Sequence, residues 1–142
     1  MLNQEIKISV LDIDDEDDTI QFLIEASTGT SSITQDFYGY SDNFKEFGTQ
    51  LLSFPKTITE NVRYEIGEIG ERWAYYLLLE VFCCENNGNS IIHIIVHNNA
   101  KQPYTNKSEF YITTVPASLN KFGQLLKTWN PISEKEINWE AE

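Results

Sequence analysis

The sequence predicts an α+β fold, with an antiparallel sheet of about seven strands and two helices packed on one face of it. Three observations lead there. Seven segments are strand-like, most alternating apolar and polar residues with period two, the signature of a strand with one buried face. Two segments, "NFKEFGTQLLSF" (43–54) and "SLNKFGQLLKTW" (118–129), instead space their large apolar residues by three, four and three, which is one face of a helix. The third observation is that these two segments match each other at an offset of 75 residues, the separation of Gly48 from Gly123.

Residues 5–11, "EIKISVL", place Ile6, Ile8 and Val10 on one side and Lys7 and Ser9 on the other. "TIQFLIEA" (19–26) repeats that pattern with Ile20, Phe22 and Ile24, so the two segments read as a hairpin joined by the acidic stretch "DIDDEDD". After the turn signal "TGT", "SSITQDFYGY" gives a third strand. The first helix follows, with Ser41 or Asp42 expected to cap it and Pro55 to stop it. "VRYEI" (62–66) is a short strand ended by Gly67 and Gly70, and "RWAYYLLLEVFCC" (72–84) is too β-rich and apolar for a surface helix. "ENNGN" carries an Asn-Gly pair, a hairpin signal, and "SIIHIIVHN" returns beside it. If Asn87 and Gly88 make a two-residue turn, opposed residues sum to 175 and Phe82 faces His93. "SEFYITT" is the seventh strand, and Pro116 opens the second helix, which Pro131 stops. A domain over residues 1–131 is therefore expected, with 132–142 a C-terminal tail or a short helix started by a Ser133–Glu136 capping box.

Under the 75-residue offset Phe44, Phe47, Gly48, Leu51 and Phe54 fall on Leu119, Phe122, Gly123, Leu126 and Trp129, and "DFY" precedes the first helix as "EFY" precedes the second. The repeat reads as an internal duplication of a strand–helix unit; the alternative is that two helices packed on a sheet have converged on one pattern. A glycine costs a helix about 1 kcal/mol against alanine. Keeping one at the same place twice points to close approach of each helix backbone to the sheet.

The chain carries a formal charge of −12, which disfavours nucleic acid and anionic membrane surfaces and favours a basic protein partner; the bland alternative is that the charge only keeps the protein soluble. No apolar run reaches the roughly 18 residues of a membrane span, and the first ten residues lack the pattern of a signal peptide. Cys83 and Cys84 are adjacent and point to opposite faces of a strand, so they are poor partners for each other, which fits a reducing cytoplasm. Much Asn, Ile and Lys beside only two arginines, Arg63 and Arg72, points to an AT-rich bacterial genome.

No glycine-rich phosphate loop, nucleophile elbow, Cys-x-x-Cys pair or H-E-x-x-H occurs, so no catalytic residue, metal or cofactor is expected. The acidic stretch echoes a calcium loop at Asp14, Glu16, Asp18 and Glu25. Thr19 stands where such a loop needs glycine, and a strand pattern follows where a helix should. The hairpin face carrying Tyr76, Leu78, Glu80, Phe82, Cys84, Ile91, His93, Ile95 and His97 mixes aromatic, apolar and polar groups, as contact patches do. His93 and His97 lie about 13 Å apart along their strand, too far to share one metal ion. The candidate partner-binding residues are therefore Asp14, Asp15, Asp17 and Asp18 in the acidic loop, and Tyr76, Glu80, Phe82, His93 and His97 on the hairpin face.

The strand "DFYGY" running into "FKEFGTQLLSFP", then "RYEIGE" and an aromatic-rich strand, resembles small acidic bacterial immunity proteins of polymorphic toxins, the WapI-like type among them. The likeness covers residues 31–129. It implies a non-enzymatic inhibitor that binds one cognate toxin in the cytoplasm, and it assigns no binding residues. A small-molecule-binding domain, or an enzyme with its site on the open hairpin face, is the alternative.

Overall fold

The structure, a computed structural model, describes residues 3–70 and 72–142. Its elements run β1 (Gln4–Ile13), β2 (Ile20–Thr28), β3 (Ser32–Gly39), α1 (Lys45–Leu52), β4 (Asn61–Gly67), β5 (Tyr76–Cys83), β6 (Ser90–His97), β7 (Lys107–Thr114), α2 (Pro116–Thr128) and β8 (Glu136–Glu140). The fold is α+β, but its eight strands form two antiparallel sheets of four, ordered β3-β2-β1-β8 and β4-β5-β6-β7, and not one sheet of about seven. The physical reason is cover. A seven-stranded sheet is about 30 Å across, and two helices, each about 10 Å in diameter, leave part of its apolar face wet. Two sheets whose inner faces share one core cover each other, and the helix pair completes the enclosure. Ile8, Phe22 and Phe37 from the first sheet, Leu79, Val81 and Ile94 from the second, and Leu51, Phe122 and Leu126 from the helices all belong to that one cluster.

The two halves of the chain are built alike. Replacing β1, β2, β3, α1 and β4 by β5, β6, β7, α2 and β8, and the reverse, turns one sheet order into the other. In each half the strand after the helix leaves its own half and completes the other half's sheet. The 75-residue offset carries β3 onto β7 end for end and the first residue of β4 onto that of β8. Phe47 packs on Tyr64 with ring centroids 5.8 Å apart, and their counterparts Phe122 and Trp139 stack at 4.7 Å.

The helix glycines take part in this symmetry, though not against the sheet as expected. They face each other. A Cβ on Gly48 would lie 2.7 Å from the Lys127 amide nitrogen and 2.8 Å from the Gly123 carbonyl oxygen; one on Gly123 would lie 2.7 Å from the Gly48 oxygen and 2.8 Å from the Leu52 nitrogen. The close approach is helix to helix. Residues one turn earlier lock it: Lys45 Nζ donates to the carbonyls of Lys127 (3.2 Å) and Trp129 (3.3 Å), and Asn120 Nδ2 donates to those of Leu51 (2.8 Å) and Phe54 (3.0 Å). Each helix thus satisfies terminal carbonyls of the other, groups a helix cannot pair by itself.

Three local expectations are corrected. Neither Ser41 nor Asp42 caps α1 with its side chain; a turn over 41–44 feeds the helix, in which the Lys45 amide bonds the Asp42 carbonyl at 3.1 Å. Residues 132–142 are not a tail or a helix: β8 pairs with β1 and buries Ile137 and Trp139, because period two at those residues matches the open edge of β1. The β5–β6 connection spans six residues, closed by the Cys84 amide on the Asn89 carbonyl at 2.8 Å, so opposed residues sum to 173 and Glu80, not Phe82, faces His93.

Candidate functional site

Outward-facing residues of β4–β7 fall into rows across the sheet, and one row is Arg63, Glu80, His93, Tyr111. Period-two alternation puts Val62, Val81, Ile92 and Ile112 into the core and leaves this row on the outside. His93 sits between two carboxylates. Its Nδ1 lies 3.1 Å from Glu80 Oε1 and its Nε2 2.6 Å from Glu109 Oε2, while its ring stacks on Tyr111 at 4.6 Å. The other Glu80 oxygen accepts from Arg63 and from Asn61, each at 3.2 Å. Arg63 reaches on to Glu65 at 3.3 Å, and Glu65 accepts the Tyr76 hydroxyl at 2.5 Å. Beside this chain of contacts lie half-buried Phe82, Ile91 and Ile95 and half-exposed Tyr111.

Burial alone would raise the Glu80 carboxyl. The hydrogen bonds from His93 and Asn61 and the Arg63 charge outweigh it and hold the group below its usual range. Burial, reinforced by the Glu65 carboxylate, pushes the Tyr76 hydroxyl up to about 12, so it stays a hydrogen-bond donor. Both imidazole nitrogens of His93 lie within hydrogen-bonding distance of a carboxylate, and Glu65 and Glu80 each accept from further donors. The arrangement fixes side chains in place more than it poises one for proton transfer.

The predicted residues divide. Glu80 and His93 come together, closer than sequence register implied. His97 lies on the same face but at the sheet's end, where its Nδ1 accepts from the Asn99 amide at 2.8 Å. Phe82 is partly exposed. Tyr76 is only 8 % exposed and Leu78 3 %, so the expectation that both lie open on this face is corrected: each has a paired strand on either side, Leu78 between Glu65 and Ile95 and Tyr76 between Gly67 and His97, and Tyr76 donates its hydroxyl to Glu65. Asp14, Asp15, Asp17 and Asp18 form the exposed β1–β2 connection, on the other sheet. Asp14 and Asp17 are turned onto their own loop, accepting from the amides of Glu16 (2.7 Å) and Thr19 (3.0 Å). That hydrogen bond from Thr19 lowers the Asp17 carboxyl. The acidic loop joins two strands of β3-β2-β1-β8, whereas Glu80 and His93 lie on β4-β5-β6-β7.

Asn61, Arg63, Glu109 and Tyr111 complete the face and were not among the predicted residues. Their parity in β4 and β7 could have placed them outward, but only strand order puts β4 and β7 on either side of the β5–β6 hairpin. Among the described residues no group of three or more His, Cys, Asp or Glu side chains is disposed to hold a metal ion, and no helix is long and apolar enough to cross a membrane. Compared with protein-family models, curated proteins and solved structures, the chain matches none.

Proposed function

We propose that this protein is a non-enzymatic protein-binding module of the immunity type, an inhibitor that occludes a basic domain of one cognate bacterial toxin in the cytoplasm. The observation that carries this reading is the outer face of β4–β7, where Arg63, Glu80, His93 and Glu109 are locked to one another beside Phe82, Ile91 and Tyr111. A surface whose polar groups are already paired loses little side-chain freedom on contact, and pre-organisation of that kind favours association. Aromatic groups beside a polar network are the composition of a contact patch. The −12 charge supports a basic partner over nucleic acid, whose phosphates it repels. The sequence resemblance to immunity proteins and the absence of a catalytic motif in it agree with this reading.

A second reading has one observation in its favour. An imidazole between two carboxylates, as His93 is between Glu80 and Glu109, is also an arrangement that binds or turns over a small polar molecule. The test uses the full-length protein as bait in an extract of its host, followed by rebinding of the purified partner. Phe82→Ala and Tyr111→Ala are expected to speed dissociation about tenfold, as loss of an interface anchor does. Recovery of no protein partner, together with a small ligand that raises Tm in the parent but not in Glu80→Gln or His93→Gln, would replace this reading with the ligand-binding one.

A further inference from the structure

The outer face of the other sheet differs in kind. Alternation and register turn Glu5, Lys7 and Ser9 of β1 outward together with Leu23 and Glu25 of β2, Thr34 and Asp36 of β3, and Glu136, Asn138 and Glu140 of β8. Asp12, past the bulge at Leu11, pairs with Gln21 on the same side. Among the described residues, six carboxylates therefore share this face with one cation, Lys7. On β4–β7 three carboxylates share the face with Arg63 and Lys107, and all three are paired within it. Of the two outer faces, that of β3-β2-β1-β8 therefore carries the larger net negative charge.

Two features set this face apart from a merely solvated one. Lys7 lies 3.3 Å from Glu136 and 4.0 Å from Glu25, so carboxylates on the strands either side of β1 are already spaced to take an ammonium group between them. Beside that site Glu5 stands directly opposite Glu140 across the β1–β8 pair. Like charges directly opposed on neighbouring strands destabilise a sheet. Among the described residues no ion pair or hydrogen bond relieves either carboxylate, whereas on the other sheet Glu65, Glu80 and Glu109 each have a basic side chain within 3.3 Å. A second ammonium or guanidinium at Glu5 and Glu140 would repeat what Lys7 does between Glu25 and Glu136.

We infer that the outer face of β3-β2-β1-β8 docks a lysine- or arginine-bearing segment of a protein partner, with Glu5 and Glu140 taking one of its cations. The inference rests on the binding-module reading and adds to it a second surface, separate from the His93 face. Its occupant is fixed by charge complementarity: an antiparallel face with, among the described residues, one internal cation and an unrelieved carboxylate pair favours positive charge. The opposed pair carries a signature that simple solubility does not. Neutralising either member should stabilise the free protein while weakening the complex, the trade expected where a binding surface keeps repulsion in the unbound state.

The test uses full-length protein and deca-lysine as the probe, at low salt, with amide chemical shifts mapping the contact. Shifts are expected along β1, β2 and β8. Glu5→Gln and Glu140→Gln should each raise Tm by about 1–4 °C, from relief of the opposed pair, and each should weaken deca-lysine binding about threefold. Glu5→Gln, Glu25→Gln, Glu136→Gln and Glu140→Gln together should weaken it at least about tenfold. Neutralising Glu46, Glu68 and Glu85, exposed carboxylates outside both sheet faces, should leave it nearly unchanged. Shifts spread over both sheets, equal losses from the two sets of variants, or a fall in Tm for both single variants would overturn the inference. A captured partner that is insensitive to the fourfold change overturns the face and leaves the binding-module reading standing. Deca-lysine bound on this face, with no protein partner captured, upholds the face and removes the reading on which its biological role rests.

Discussion

The sheet β3-β2-β1-β8 and the sheet β4-β5-β6-β7 are two answers to one plan. Inside, they match closely: Ile8 and Val81, Ile24 and Ile92, Ile137 and Val62, Trp139 and Tyr64 occupy corresponding inward places, and most are buried. Outside, they have parted. Lys7, central on the first sheet, has Glu80 as its counterpart on the second. A loose acidic face on the one sheet stands where the other carries a closed network around His93. The difference teaches where each kind of constraint acts. A shared core tolerates only apolar groups of matching volume, so it holds the two halves to a common pattern. An outer face answers only to solvent and to whatever binds it, so nothing in the core holds the two outer faces alike.

The largest expected effect breaks the inner equivalence. Trp139 is 3 % exposed, stacks on Phe122 and donates its indole N–H to the Ser118 carbonyl at 2.9 Å. Trp139→Ala should cost about 3–5 kcal/mol in urea denaturation, as large-to-small changes at a buried aromatic do. A loss below about 1 kcal/mol would mean that β8 is an appendage and not the completing strand of its sheet.

A smaller effect tests the helix pair that joins the halves. Gly48→Ala and Gly123→Ala each force a methyl against backbone atoms of the facing helix, at 2.7–2.8 Å. Each should destabilise by about 1–3 kcal/mol despite the better helix propensity of alanine. Because both press on one contact, the double variant should cost less than the sum of the two. Full additivity, or a gain in stability from either, would show that the helices separate freely.

The smallest effect sharpens the contrast between the outer faces through pH. The folded protein holds the Glu80 carboxyl below its unfolded value, so the stability it contributes is present above that value, about 4.3 for a glutamate, and is lost as pH falls through the lower folded value. Denaturation midpoints measured from pH 6 down to pH 2 should therefore drop more steeply in the parent than in Glu80→Gln. Parallel curves would mean that Arg63, Asn61 and His93 do not hold this carboxylate in solution.

Much of the fold was legible in the sequence, because the signals concerned are local. The three-four-three spacing from Phe44 to Phe54 and from Leu119 to Trp129 marks helices whatever they pack against, and the alternation in "EIKISVL" or "SIIHIIVHN" marks strands whatever they pair with. The face shared by Glu80 and His93 followed from parity alone, since a hairpin register that slips by two in its residue sum keeps every side chain on its side of the sheet. The matched glycines followed from the 75-residue offset.

Pairing between distant segments was decided only in three dimensions. Nothing within β4 or β8 says which sheet it completes, because a strand edge offers the same N–H and C=O groups to any partner. Their crossing between halves is settled by where α1 and α2 leave the chain, and by the need of two apolar faces to cover each other. The same holds for the glycines: the sequence shows that something comes close, and only the packing of α1 on α2 shows that it is the other helix. It holds again for the outer faces. The sequence determined the total charge, while strand order alone set Glu5 opposite Glu140 and laid Arg63 and Glu109 on either side of Glu80 and His93, because charge is a property of composition and its distribution over a surface is a property of topology.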